Sequence, residues 1–186
     1  MKVILASASP RRRELIAKID GLEVSIVPSN ADETVEKSPD PALHAENLAL
    51  LKARDVYKKT GGVVVGADTV VALDGKIYGK PKSETQAREF LRELCGRTHE
   101  VVTGVAVVCD GGEIKTHETT RVTLAARDDK AIDAYVATGS PMDKAGAYGI
   151  QDEAFAPLKK SVDGDIDNVI GLPVALLAKI LKEKIG

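Results

Sequence analysis

The residues of this chain able to do chemistry are a few acids and cations that stand where helices begin or strands stop. In "LASASPRRREL", Leu5–Leu15, the cations Arg11, Arg12 and Arg13 follow Pro10, which suits the first position of a helix. Helix N-termini carry partial positive charge, so each cation there opposes the dipole by about 0.3–1 kcal/mol. Leu15, Ile16 and Ile19 form the apolar face of this helix. Arg11 lies one helical turn before Leu15 and Arg12 one turn before Ile16, which puts both at the inner edge of the helix start. An anion held between them and the free backbone N–H groups accounts for the arrangement. Arginine adds two-pronged hydrogen bonding to phosphate oxygens, and Ser7 and Ser9 add hydroxyls. The alternative is a solvated basic helix start whose arginines pair with Glu14 or an acidic loop. Arg13 points elsewhere, to the surface.

Three further positions are out of keeping with their surroundings. Ala45, Leu48, Ala49 and Val56 make an apolar helical stripe, and Lys52 falls in its middle, where it must snorkel or meet an anion. Asp68 ends the apolar strand "VVVGAD", at the kind of strand end where open α/β sheets bind ligands. Such a carboxylate can hold Mg²⁺ or take a proton from water. It can also form a turn with Thr69 by bonding its own backbone. A second acid, Glu33, lies in the polar loop after another strand. In "YGKP", Lys80 sits between a glycine and a proline on restrained, extended backbone, either aimed at a phosphate or exposed in a loop. Acids that hold a divalent metal, cations that hold phosphates and one acid that activates water suit phosphate-ester or anhydride chemistry on a small molecule. The residues do not choose the base.

The elements that must position these side chains alternate along the chain. Strands are predicted at Val3–Ala6, Glu23–Pro28 and Val63–Asp68, followed by a hairpin around Asp74-Gly75. Two long strands, His99–Cys109 and Glu113–Ala126, flank "DGG", and short strands are predicted at Ala147–Ile150 and Leu158–Val162. Helices are predicted from Pro10 to about Lys18, from Pro41 to about Lys59, from Ser83 to Gly96, from Asp128 or Asp129 to Gly139, and at Pro173–Lys184. Ser29–Asp40 reads as polar and irregular, and Asp163 to Asp167 as a hairpin turn. The alternation lacks strict βαβ repetition, so the expected fold is α/β around a mixed sheet, one domain over residues 1–186.

Composition excludes several function classes. The net charge of -2 provides no basic field for nucleic acid, and aromatic residues at 3% with no Trp provide no base-stacking platform. No apolar run approaches the roughly 18 residues of a membrane span, and Val3–Ala6 is too short for a secretory core. Cys95 and Cys109 lack metal or redox spacing and read as free thiols of a cytoplasmic protein. "DGKIYGKP" lacks the P-loop spacing, and "DGDIDNVIGLPV" lacks the Gly and Glu of a calcium loop. His44, His99 and His117 have no metal-ligand spacing.

Beyond these readings, the sequence resembles the Maf family of nucleoside triphosphate pyrophosphatases over nearly its whole length. The resemblance rests on "LASASPRRREL", Asp32-Glu33, "LALLKA" around Lys52, "GADTVV" at Asp68 and "GKP" at Lys80. It continues in "PMDKAGAYGIQ", Pro141–Gln151, and in "VIGLP" near the C-terminus. It implies cleavage of a nucleoside triphosphate to the monophosphate and pyrophosphate with a divalent cation; the expected ion is Mg²⁺ or Mn²⁺, and the acids expected to hold it are Glu33 and Asp68. It implies Asp68 as proton acceptor and matches Ser7, Arg12, Glu33, Lys52 and Lys80 to the family's polar site positions. The implied fold is a mixed, elongated central sheet flanked by helices with a deep cleft, similar to inosine triphosphate pyrophosphatases. Family members are often dimers, so a homodimer is expected.

Arg11, Thr69 and Gln151 match the markers of the family's dTTP/UTP type, including modified pyrimidine nucleotides as substrates, in a house-cleaning role. The side chain of Gln151 donates and accepts at once, as the imide edge of uracil or thymine requires. Where the family usually has Gly after "YGIQ", this chain has Asp152 followed by Glu153, two acids that bear on loop shape or selectivity beside the implied base pocket. Two alternatives stay open: a purine-type pyrophosphatase acting on 7-methyl-GTP or ITP, and a non-catalytic nucleotide-binding regulator of cell division.

Overall fold

A computed structural model describes residues 1–34 and 38–184. Its centre is a seven-stranded mixed sheet in the order β2 (Glu23–Ile26), β1 (Lys2–Leu5), β3 (Val64–Leu73), β5 (Thr98–Cys109), β6 (Gly112–Leu124) and β7 (Lys159–Asp163). The short β4 (Lys76–Tyr78) folds back on the end of β3. β1 runs parallel to both β2 and β3, and the remaining pairs are antiparallel. The expected mixed α/β sheet is present.

The sheet has a gap along one edge of β3. β1 pairs with β3 only through Ile4↔Val64 and Leu5↔Val65, and β4 joins only from Val71↔Tyr78 onward. Gly66 to Val70 therefore have β5 on one side and, among the described residues, no strand on the other. The prediction ended this strand at Asp68; in the structure it continues to Leu73, because the β-branched run after Asp68 keeps pairing with β5. Asp68 thus lies mid-strand on an open edge, and the alternative reading, a turn with Thr69, does not hold.

Alternation along β3 decides what each face meets. Val64, Gly66, Asp68 and Val70 face α2 (Pro41–Thr60), which packs its stripe of Ala45, Ala49, Ala53 and Val56 across the sheet. Val65 and Ala67 face a second core with Leu15 and Ile16 of α1 (Pro10–Ile16) and Leu177 and Leu181 of α6 (Val174–Lys184). Val71 on that same face joins a third core, built on α3 (Glu84–Leu94) and α4 (Asp129–Ala137) with Tyr135, Tyr148 and Phe155. Thr69 falls at the seam between these last two cores.

Two glycines let α2 reach the sheet. A Cβ on Gly66 would stand 2.1 Å from the Ala49 carbonyl oxygen, and one on Gly104 would stand 2.2 Å from the Ala45 carbonyl carbon. Gly104 pairs with Asp68 across the strands, so this close approach seats Lys52 of α2 above Asp68. Backbone cannot move aside as a side-chain tip can. Gly104→Ala is therefore expected to destabilise the fold by about 3 kcal/mol, the upper part of the overpacking range, as read from urea unfolding.

Two other predicted elements are corrected. Ala147–Ile150 is not a strand: Gly146 (φ 68°) and Ala147 (φ 62°) lie in the left-handed region, which breaks an extended run. The expected hairpin turn after Asp163 is instead a short helix, α5 (Ile166–Ile170), capped by Asp165, whose carboxylate accepts from the Asp167 N–H. Helix α1 ends at Ile16, slightly before the predicted Lys18. Of the predicted irregular stretch Ser29–Asp40, residues 35–37 lie outside the described residues.

Candidate active site

The open edge of β3 forms the wall of a cleft of about 320 Å³. Arg11, Arg12, Glu33, Lys52, Asp68, Thr69, Lys80 and Gln151 all line it. An adjoining lobe of about 300 Å³ shares Arg11, Arg12, Glu33, Lys52 and Lys80 and adds Ser7 and Ser29. Every residue singled out as a candidate therefore belongs to one continuous site, although the candidates span Ser7 to Gln151.

At its centre, Lys52 Nζ donates to Asp68 Oδ1 at 2.6 Å and lies 3.2 Å from Glu33 Oε1. The anion expected for this lysine is thus a pair of carboxylates from the protein itself, and it does not snorkel. Asp68 is 9% exposed, so its charge rests on partners and not on bulk water. Glu33 is brought in from the loop after β2, as the second acid.

Arg12 is fixed by neutral partners. Its Nε donates to the Gly171 carbonyl at 2.8 Å, one terminal nitrogen to Thr69 Oγ1 at 3.1 Å and the other to Ser7 Oγ at 3.5 Å. Thr69 passes its own proton to Thr103 Oγ1 at 2.9 Å, and Thr103 donates to the Asn168 carbonyl. A guanidinium has five N–H groups, so three are engaged and two remain for an anion. Burial pulls the Arg12 guanidinium below its ordinary range, and the nearby Asp68 charge pulls it back up. The pairing with Glu14 that a purely solvated helix start allowed does not occur at Arg12. Ser9 caps α1, with its hydroxyl accepting from the Arg12 N–H.

Arg11 does pair with an acid: it donates to Asp143 Oδ2 at 2.8 Å across the cleft. Burial raises the Asp143 carboxyl, but hydrogen bonds from Lys144 and Arg11 outweigh that and hold it down at about 2. Lys80 is exposed and lines both lobes. Gln151, also exposed, lines the first lobe with Tyr148 and Gly149 and does not line the adjoining one. The two acids after it do not enter: neither Asp152 nor Glu153 lines the cleft.

Sequence reasoning did not single out Asp143, Lys144, Tyr148 or the Gly171 carbonyl. Asp143 and Lys144 carried a weak signal, two charges wedged between Pro141 and the small residues Ala145 to Ala147. The Gly171 carbonyl carried none, because a backbone acceptor has no sequence signature.

Among the described residues no three His, Cys, Asp or Glu side chains converge as a metal-holding group. The two carboxylates on Lys52 are nonetheless a fitting donor set for Mg²⁺ or Mn²⁺. They already share one cation, the ammonium, and Mg²⁺ commonly takes one or two carboxylates and completes its shell with substrate phosphates and water. No helix among the described residues is long and apolar enough to cross a membrane.

A family profile described as Maf-like protein matches residues 2–184. The chain is 50% identical over 183 residues to the dTTP/UTP pyrophosphatase of Moorella thermoacetica, covering 97% of this chain and 93% of the relative. It is 46% identical over 178 residues to the dTTP/UTP pyrophosphatase of Thermococcus gammatolerans, covering 96% and 94%. Among solved structures, the fold is similar to the Ham1 protein of Staphylococcus aureus, with a TM-score of 0.59 at 14% identity over 98% of each chain. A HAM1 protein from Coxiella burnetii gives a TM-score of 0.56 at 16% identity, over 98% of this chain and 99% of that one.

Proposed function

Because the chain belongs to the Maf-like protein family, we propose that it hydrolyses dTTP and UTP to the monophosphate and pyrophosphate. The observation that carries this reading is the single cleft in which Asp68, Glu33 and Lys52 meet Arg12 and Lys80. Two acids alone would suit many hydrolases. Asp68 and Glu33 with Arg12, Lys52 and Lys80 beside them suit a substrate with several negative charges in a row.

The triphosphate lies along the cations, with Arg12 offering its two remaining N–H groups and Lys80 closing the mouth. Lys52 moves from its carboxylate partners toward a phosphate oxygen, an exchange of one anion for another. Asp68 accepts the proton of the water that attacks the α-phosphorus, and pyrophosphate departs toward Arg12, Lys52 and Lys80. Glu33 and Asp68 would hold a divalent metal, which supplies positive charge to the phosphate oxygens when bound. The base occupies the end of the cleft at Gln151, whose amide meets the imide edge, with Arg11 and Thr69 as its neighbours. Cys95 and Cys109 are free, which supports a reducing, cytoplasmic setting.

The test is pyrophosphate release from UTP, dTTP, CTP, ITP and 7-methyl-GTP with Mg²⁺ and with Mn²⁺. UTP and dTTP are expected to give the highest kcat/KM, and a chelator is expected to abolish release. Preference for 7-methyl-GTP or ITP would reassign the enzyme to the purine type. Tight UTP binding without pyrophosphate would make it a regulator instead.

A further inference from the structure

Gln151 reaches the cleft from a tight turn, in which the Asp152 N–H donates to the Gly149 carbonyl at 3.1 Å. Both ends of that turn are tied to one buried hydroxyl. The Gly149 N–H donates to Tyr135 Oη at 2.9 Å, and Tyr135 Oη donates to Asp152 Oδ2 at 2.6 Å. Tyr135 is 0% exposed and belongs to α4, so the turn is anchored to the third core and not to the cleft lining. The same carboxylate oxygen accepts from Ser140 Oγ at 2.7 Å.

Lys144 balances the charge. Its Nζ lies 3.7 Å from Asp152 Oδ2 and donates to the Ser140 carbonyl, to Ser140 Oγ and to Asp143 Oδ1. With three N–H groups so placed, this lysine has none left for a substrate. The packing is close as well: a Cβ on Gly149 would stand 2.7 Å from Lys144 Cε and 2.8 Å from Asp152 Oδ2. The Asp152 carboxylate therefore points into the protein, away from the base, and closes a ring of donors and acceptors under the turn.

We propose that Asp152 is a positioning residue for base recognition, clasping the Gly149–Asp152 turn so that Gln151 is held toward the cleft before substrate arrives. This rests on the reading that Gln151 meets the base. A turn already fixed in its binding geometry loses less freedom when ligand binds, so the clasp lowers KM and leaves the phosphate half of the site alone. The acid at position 152, unusual beside the glycine expected there, thus acts on the pocket from behind.

The experiment measures kcat and KM for UTP, with inhibition by pyrophosphate as a probe of the phosphate half, in Asp152→Ala, Asp152→Asn, Tyr135→Phe and Gln151→Ala. Asp152→Ala is expected to raise KM about tenfold with kcat changed less than about threefold and the pyrophosphate inhibition constant unaltered. Asp152→Asn, which keeps an oxygen for both hydroxyls, is expected to restore KM to within about threefold of wild type. Tyr135→Phe cuts both ends of the turn and is expected to raise KM in the same selective way, which keeps the question answerable if Asp152→Ala does not fold. Unchanged KM in Asp152→Ala, or a joint loss of kcat, UTP affinity and pyrophosphate affinity, overturns the proposal, the latter by revealing a general structural role. If Gln151→Ala raises KM and neither clasp variant does, the clasp fails while base recognition by Gln151 stands. If Gln151→Ala leaves KM unchanged, the reading beneath the clasp fails and the clasp with it.

Discussion

Asp68→Asn is expected to lower kcat for UTP by about 10³-fold, a rise of about 4 kcal/mol in the barrier, with the fold intact. The substitution keeps the volume of a side chain that is 9% exposed and keeps an oxygen able to accept from Lys52, so packing changes little. What it removes is the proton acceptor and one negative charge from the cleft that Arg12, Lys52 and Lys80 share. Glu33 does not take over as base, because in the proposed reaction its carboxylate is committed to the divalent metal. Binding through the phosphates persists, so KM is expected to change far less than kcat. Steady-state pyrophosphate release, run beside circular dichroism and urea unfolding, separates a lost base from a lost fold. Near-normal turnover in a folded Asp68→Asn protein would remove Asp68 from the chemistry.

Arg12→Lys is expected to lower kcat/KM by about 100-fold although the positive charge is kept. The guanidinium works as a fork: one N–H to Gly171, one to Thr69, one to Ser7, and two more on a side chain that lines the cleft. An ammonium is one point with three donors and cannot hold the Gly171 carbonyl while still reaching a phosphate. The Gly171 carbonyl and Thr69 Oγ1 lose a shared donor, so the segment after α5 and the mid-strand of β3 are no longer linked through the floor of the site. The loss is expected in both KM and kcat, because this one side chain binds the phosphates and sets the cleft. An effect below about threefold would mean that charge alone suffices at this position.

Part of this site was legible because its signals are local. Three arginines on a helix start and a lysine inside an alanine-leucine stripe are visible within a few turns of helix, and the structure puts Arg11, Arg12 and Lys52 in the cleft. Asp68, which also lines the cleft, stands out in the sequence for a less accurate reason. A charge after five apolar residues reads as a strand end, yet the strand runs five residues further, and what opens beside it is the sheet edge. That gap depends on where β1 and β4 stop, which no window around Asp68 contains. The seating of α2 at Gly66 and Gly104 is equally non-local, because a glycine in a strand does not announce the helix that will cross it. The same holds for the clasp under Gln151, where Tyr135 and Asp152 meet across a left-handed backbone at Gly146 and Ala147. There the apolar and small residues of Ala147–Ile150 suggested a strand, and a tight turn won because its ends are tied to α4. The short α5 reads as a turn in the sequence, although Asp165 carries the capping signal.

The most direct test of the account is hydrolysis of UTP by the wild-type protein with Mg²⁺ in water enriched in oxygen-18, with both products read by mass spectrometry. Attack at the α-phosphorus by a water that Asp68 deprotonates predicts label in uridine monophosphate and none in pyrophosphate. Label in pyrophosphate, or products that are uridine diphosphate and free phosphate, would contradict it.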